Sequence, residues 1–157
     1  MNQVCSIEGY SQVEPEVLGV RTHKKTFAIF EISQIDPVAL KVVASGGIDT
    51  SVDVRATPTQ EELENVFSEC KKFLKKESPC FIVYNFGYYN EKNCYREMVL
   101  FISFIPDVSN LRYKIAMTSN TSVLQGFLNT PMHIGIYEME DFEYENLKKE
   151  CSTIQRK

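Results

Sequence analysis

The side chains able to do covalent or metal chemistry are few and poorly spaced for it. Five cysteines, Cys5, Cys70, Cys80, Cys94 and Cys151, form no CxxC or CxxxC pair, and the two histidines, His23 and His133, lie far apart. A tetrahedral zinc site draws on closely spaced ligand pairs, so these thiols read as reduced and mostly structural in a reducing compartment. Cys80 sits in the apolar run PCFIVYNF, where a thiolate is disfavoured, which argues against a cysteine nucleophile. His23 stands among Arg21, Lys24 and Lys25 in what reads as a solvated basic turn, and His133 opens a short strand where it can satisfy a backbone group. The glycines of SGGID lack the spacing and the lysine of a phosphate loop. The stretch SGGIDTSVD offers a calcium ion only Asp49, Asp53 and hydroxyls. The carboxylates Glu61, Glu62 and Glu64, like the cluster Glu138, Glu140, Asp141, Glu143 and Glu145, suit exposed helix positions. No nucleophile, base and charge-stabilising donor assemble, so the expectation is a protein that is not an enzyme and carries no cofactor or metal.

What remains is binding chemistry, concentrated in FISFIPDVSNLRYKIAMTSNTSVLQGFL, residues 101–128. The apolar start is a strand, Pro106-Asp107 breaks it, and a helix is expected over about 109–128, capped by Ser109 or Asp107 and ended by Asn129 and Pro131. Arg112 and Lys114 fall in its first turn, where the helix dipole disfavours cations by a few tenths of a kcal/mol or so. Carboxylates on a partner would offset that cost. Ile115, Met117 and Val123 are apolar among small polar residues, the texture of a contact surface in which methionine adapts easily.

These residues must be carried by a scaffold, and 157 residues suffice for one domain with a real core. Hydrophobic content of 43% with 24% charged residues excludes wholesale disorder. The net charge of −4 argues against nucleic acid as a general partner, and Lys71, Lys72, Lys75 and Lys76 read as a solvated helix face. No run is long and apolar enough for a membrane span and the first residues lack a signal pattern, so a cytoplasmic protein without integral membrane contact is expected.

Residues 1–16 read as a mobile arm, 17–151 as the domain and 152–157 as a tail, with a short first helix within 14–24. FAIFEI (27–32) and VALKVVAS (38–45) are strands joined by a turn at 35–37. TPTQEELENVFSECKKFLKK is a helix capped by Thr57 or Thr59, with Leu63, Val66, Phe67, Cys70, Phe73 and Leu74 as its inner stripe. PCFIVYNF (79–86) and MVLFISFI (98–105) are central strands, with GYYNEKNCYRE as the hairpin loop between them. HIGIYEM is a short strand, and EDFEYENLKKE a last helix with Phe142, Leu147 and Cys151 inside. The fold class is α/β (α+β): a single domain with a central mixed sheet flanked by helices on both faces.

The order of elements and the stretch Phe104-Ile105-Pro106-Asp107 followed by Arg112-Tyr113-Lys114-Ile115-Ala116-Met117-Thr118-Ser119-Asn120-Thr121 resemble the actin-depolymerising factor/cofilin family. CFIVYNFGYY upstream and YENLKKE downstream extend the likeness over about 27–150. The resemblance implies an ADF-homology domain that binds actin through the long helix, with monomer contacts from Arg112, Lys114, Ile115, Met117, Ser119, Ser122 and Gln125, and from Gly9 near the amino terminus. It implies filament-side contacts from Arg96, Lys148 and Lys149, weak phosphoinositide binding, and a monomer in the actin cytoskeleton.

The departures from the family's pattern are as specific. Thr121 stands where the motif has a lysine, Gln125 and Gly126 where basic residues often follow, and Met98 at a usual filament-side cation. No clear Ser-Gly-Val start is present, although Glu8-Gly9-Tyr10 can occupy its place with Ser6 and Ser11 nearby. Each change removes positive charge or a switch, so the expectation is monomer binding and filament depolymerisation with weak severing. FIVYNFGYYNEKN also resembles the glia maturation factor branch, which implies as the alternative a regulator that binds the actin-related branch complex and debranches filaments.

Overall fold

The computed structural model describes residues 5–51 and 57–155. Residues 1–4 of the expected arm, Asp53, and residues 156–157 of the expected tail lie outside that range.

The periodicities of the sequence produce four helices and five strands: α1 (Tyr10–Arg21), β1 (Phe27–Ile35), β2 (Val38–Gly46), α2 (Gln60–Lys72), β3 (Cys80–Tyr89), β4 (Tyr95–Phe104), α3 (Leu111–Leu128), β5 (His133–Ile136) and α4 (Tyr144–Gln155). The strands form one sheet in the order β2-β1-β3-β4-β5, antiparallel throughout except for the parallel β4–β5 pair. The sheet is mixed and α+β, as its sequence predicts.

Alternation along the central strands makes two cores. Ile82, Tyr84 and Phe86 of β3, with Leu100, Ile102 and Phe104 of β4, point to α2 and α4. Phe81, Val83 and Phe101 point to α1 and α3. Both faces are apolar because both are covered, which is why these strands read as unbroken hydrophobic runs rather than alternating ones. On the first face Phe67 of α2 stacks on Phe142 with ring centroids 4.6 Å apart, and Phe142, Leu147 and Cys151 are buried as expected.

Several local readings differ from this outcome. Residues 10–16, expected within an arm, are the first half of α1, whose Tyr10, Val13, Val17 and Val20 pack on the sheet. Pro15 and Gly9 obscure that helix in sequence, yet the three- and four-residue spacing of its buried side chains is that of one helix face. Residues 152–155, expected in a tail, continue α4. The hairpin loop is shorter than expected, because Gly87–Tyr89 and Tyr95–Glu97 are paired strand and only the segment between them turns. The Asn90 side-chain oxygen accepts from the backbone N–H groups of Lys92 and Cys94, each at 2.9 Å, and so closes the turn locally. Arg96 therefore lies within β4 rather than before it. Thr59 caps α2 through a reciprocal box with Glu62, so Pro58 precedes the cap. The helix stops at Lys72, and Phe73, expected on the inner stripe, becomes its C-cap and is 44% exposed.

Candidate functional site

The long helix α3 is aimed by the chain that precedes it. Backbone N–H groups of Ile105 and Asp107 donate to the carbonyls of Ile136 and Tyr137, which clamps the Pro106-Asp107 turn beside β5. Asn110, rather than Ser109 or Asp107, caps the helix: its side chain accepts from the Arg112 N–H at 2.9 Å. At the other end Asn129 takes a left-handed conformation, φ 54°, which ends the helix as expected.

Around this helix the inward and outward residues separate sharply. Ala116, Met117, Leu124 and Leu128 are buried. Met117, expected at the contact surface, is fully inside the α1/α3 core and corrects that expectation. Its neighbour Ile115 points the other way and is 56% exposed, since two residues turn a helix by about 200°. Val108 and Leu111, which the sequence reading passed over, are more exposed still and stand three and four residues apart in series with Ile115. That spacing was the available signal: an apolar series on one helix side with no strand left to bury it.

The two cations behave differently. Arg112 is exposed. Lys114 is half-buried and its ammonium donates to the Asp107 carbonyl at 3.0 Å, so it braces the turn that aims the helix. The uncharged tract that follows is also divided. Thr118, Asn120 and Thr121 donate to the carbonyls of Lys114, Ala116 and Met117, four residues back in each case. Ser119 and Ser122 are exposed, and neither hydroxyl has a hydrogen bond among the described residues. Gln125 is half-buried and donates to the Pro131 carbonyl at 3.1 Å.

Other expected contact residues lie elsewhere. Gly9 is the N-cap of α1 at φ 85°, where a Cβ would collide with the Leu40 carbonyl, so its geometry is dictated by the fold. The adjoining Tyr10 ring meets Phe127, which brings this region to the C-terminal end of α3 and not to Arg112 or Ile115. Arg96 projects on the α2/α4 side of the sheet, opposite Tyr88 in the β3–β4 ladder. The Tyr88 phenol feels both Arg96 and the Cys151 thiol, so Arg96 and the end of α4, with exposed Lys149 and half-buried Lys148, share one region. The expected monomer and filament residues thus occupy opposite faces of the sheet. Met98, where a second cation was missed, packs against the α2/α4 core.

Three of the five thiols and one of the two histidines are buried in ways that favour their neutral forms. Burial pushes the Cys151 thiol up to about 12 and raises Cys70 and Cys80 as well, so these thiols stay protonated. His133 is held below its ordinary value by burial, with Nε2 2.8 Å from the Ser103 hydroxyl. His23 is not simply solvated: at φ 66° its Nδ1 lies 2.9 Å from Glu97, whose other oxygen accepts from Tyr95 at 2.8 Å and Thr50 at 3.1 Å. This cluster ties the α1–β1 turn and the segment after β2 to the β3–β4 hairpin.

A mixed five-stranded sheet with a helix pair on each face, one of the four helices long and exposed along its outer side, is the architecture of the ADF-homology class of domains. Solved structures of that architecture superpose over nearly the whole chain. The Plasmodium berghei actin depolymerization factor 2 structure matches with a TM-score of 0.73 at 18% identity, covering 96% of this chain and 99% of that one. Streptomyces griseoflavus cofilin matches with a TM-score of 0.65 at 21% identity, covering 91% and 94%. Glia maturation factor from Caenorhabditis elegans matches with a TM-score of 0.62 at 14% identity, covering 95% and 99%. At these identities the likeness is one of fold. No curated protein matches the chain in sequence. The family model for cofilin/tropomyosin-type actin-binding proteins matches residues 16–152, and the chain belongs to that family. Among the described residues no helix is long and apolar enough to cross a membrane.

Proposed function

We propose that this protein binds monomeric actin through the outward side of α3 and promotes filament depolymerisation and turnover in the cytoplasmic actin cytoskeleton, with weak severing. The observation that carries the reading is the exposed pair Leu111 and Ile115 beside Arg112, with Val108 in the turn just before, on a helix that buries Ala116, Met117, Leu124 and Leu128 on its other side. A monomeric soluble domain rarely leaves such a series uncovered unless a partner covers it. Ser119 and Ser122, exposed and without internal hydrogen bonds, continue that side as donors to the same partner. Membership of a family of actin-binding proteins supports actin as that partner.

Weak severing follows from the thin charge of the second surface. Arg96, Lys148 and Lys149 supply cations there, and Met98 turns into the core instead of adding one. Few cations also mean weak binding of phosphoinositides and a filament interaction that salt readily screens. The same thinness supports the alternative of a glia maturation factor-like regulator of the branch complex.

One experiment separates them. Binding of the purified protein to fluorescently labelled monomeric actin and to the branch complex is measured side by side, with filament co-sedimentation across salt. Tight monomer binding that weakens in Arg112→Ala/Lys114→Ala is the expected result. Retention of the branch complex with no monomer binding would establish the alternative, and unchanged monomer affinity in the double variant would remove the site.

A further inference from the structure

The β3–β4 hairpin reaches past the rest of the sheet. β1 pairs with β3 from Phe27 to Phe30, opposite Tyr84 to Phe81, and β5 pairs with β4 from Phe101 to Phe104. The outer rungs are Phe86 with Met98, Gly87 with Glu97, Tyr88 with Arg96 and Tyr89 with Tyr95. They form a two-stranded ribbon with no third strand among the described residues. A lone two-stranded hairpin is marginal in water, so side-chain contacts must hold this one in place.

Helix and loop contacts supply part of that hold. Tyr88 is buried in the α2/α4 core, the Tyr144 hydroxyl donates to the Gly87 carbonyl at 2.8 Å, and the Tyr89 hydroxyl donates to the Pro58 carbonyl at 2.6 Å. Successive strand residues point to opposite sides, so Arg96 shares a side with Tyr88 and Glu97 shares the other with Tyr95.

Glu97 ties the ribbon to chain segments far away in sequence. One carboxylate oxygen accepts from the Tyr95 hydroxyl at 2.8 Å and from the Thr50 hydroxyl at 3.1 Å, and the other lies 2.9 Å from His23 Nδ1. Burial first, then the hydrogen bond and charge of Glu97, push the Tyr95 phenol up, so it remains a donor. His23 and Thr50 are themselves fixed. The Thr50 N–H donates to the His23 carbonyl at 2.8 Å, and the Asn85 amide lies 2.8 Å from the same imidazole nitrogen. Arg96, one residue before Glu97, is exposed, and its direction follows that of the strand beneath it.

We propose that Glu97 is a positioning residue for the filament-side surface: it fixes the outer ribbon against the α1–β1 turn and the segment after β2, and so fixes the direction in which Arg96 is presented. The role rests on the reading of Arg96 as a filament contact. Glu97 acts through Arg96 rather than on the filament itself, since the two side chains leave the strand on opposite sides and the carboxylate is committed to Tyr95, Thr50 and His23. The turn that aims α3 follows Phe104 at the other end of β4, so monomer binding does not depend on Glu97.

The test is co-sedimentation of the full chain with actin filaments at low ionic strength, where an exposed cation counts most, alongside titration of labelled monomeric actin. Glu97→Ala is expected to weaken filament binding about two- to fivefold, the share of an exposed ion pair, and to leave monomer affinity unchanged. Amide hydrogens from Gly87 to Arg96 should exchange faster in this variant. Glu97→Gln keeps an oxygen for Tyr95 and Thr50 and should restore most of the binding. The deciding readout is the cycle with Arg96→Ala: Glu97→Ala should have no further effect in the Arg96→Ala background. An equal loss in both backgrounds, a parent-like Glu97→Ala, or a matching fall in monomer affinity would overturn the proposal. Should Glu97→Ala fail to fold, Thr50→Val, which withdraws one donor from the carboxylate, is judged by the same cycle. If the parent chain does not sediment with filaments, or Arg96→Ala sediments as the parent does, the filament reading falls and this role with it.

Discussion

Ile115 and Met117 are two residues apart on α3, and the structure makes them opposite in kind: one 56% exposed, the other fully buried. Truncating each to alanine should separate binding from stability. Full burial of an isoleucine side chain contributes about 1.5–3 kcal/mol. Ile115 already has almost half its surface covered, so a partner that buries the rest gains about 1–1.5 kcal/mol, or roughly five- to tenfold in Kd. Unfolding should barely notice the change. Met117→Ala instead removes a packed side chain from the core beside Val83 and Phe101 and should cost about 2–5 kcal/mol of stability. That is a large share of the roughly 5–15 kcal/mol typical of a domain. The assay is urea unfolding of both variants, read by tyrosine fluorescence and circular dichroism, alongside titration of labelled monomeric actin under conditions where each variant is folded. The expected pattern is an unchanged midpoint with weakened binding for Ile115→Ala, and a lowered midpoint with little loss of affinity for Met117→Ala. If Ile115→Ala lowers the midpoint as far as Met117→Ala does, or binds actin as tightly as the parent chain, the division of the helix argued here is wrong.

Three further outcomes follow from local geometry. Asn110→Ala removes the side-chain acceptor for the Arg112 N–H and should lower stability by about 1 kcal/mol, read from the urea midpoint, with Asn110→Asp restoring most of it. Tyr144→Phe strips a buried hydroxyl that donates to the Gly87 carbonyl at 2.8 Å, leaving that acceptor unpaired at a cost of about 1–3 kcal/mol. Glu16 is held below its ordinary value of 4.5 by hydrogen bonds from Lys25 and then Ser45. Its stabilising contribution is therefore complete above that value and is lost as pH falls through the lower folded one; Glu16→Gln should flatten this part of the acid-unfolding profile, and an unaltered profile would show that the pair contributes nothing.

The fold was largely legible because its strongest signals are periodic. The β3 and β4 runs are apolar throughout since each is covered twice, and α2 announces itself by Thr59, Glu62 and a clean stripe. What was missed lay where tertiary contacts override local preference. α1 contains Pro15 and begins at a glycine held at positive φ, so composition suggested an arm, while burial of Val13, Val17 and Val20 makes a helix. Tyr88 and Arg96 seemed to belong to a loop because glycine, asparagine and charge surround them, yet the β3–β4 ladder continues past them and Tyr88 is fully buried. In α3 the residue types were right and their directions were not. A single sequence gives spacing along a helix but not which side faces the sheet, so Met117 looked like a contact and Leu111 was overlooked.

The same uncertainty of direction explains the uncharged tract of α3. Read as composition, Thr118 to Ser122 is a run of polar side chains that should compete for water. In the helix three of the five satisfy themselves on carbonyls one turn back, and what remains outward is methyl groups and two small hydroxyls. Lys114 is likewise occupied in holding the Asp107 turn. Of the features that first suggested an electrostatic contact, only Arg112 keeps its charge uncommitted. The outward side is therefore a narrow apolar series followed by a flat, weakly polar stretch, and its fit to a partner rests on shape and buried area more than on charge. Loss of the basic residues expected after Ser119 weakens long-range attraction and leaves that short-range complementarity intact. On the proposed function, the monomer would be met at α3 by short-range fit and the filament only through the sparse second surface.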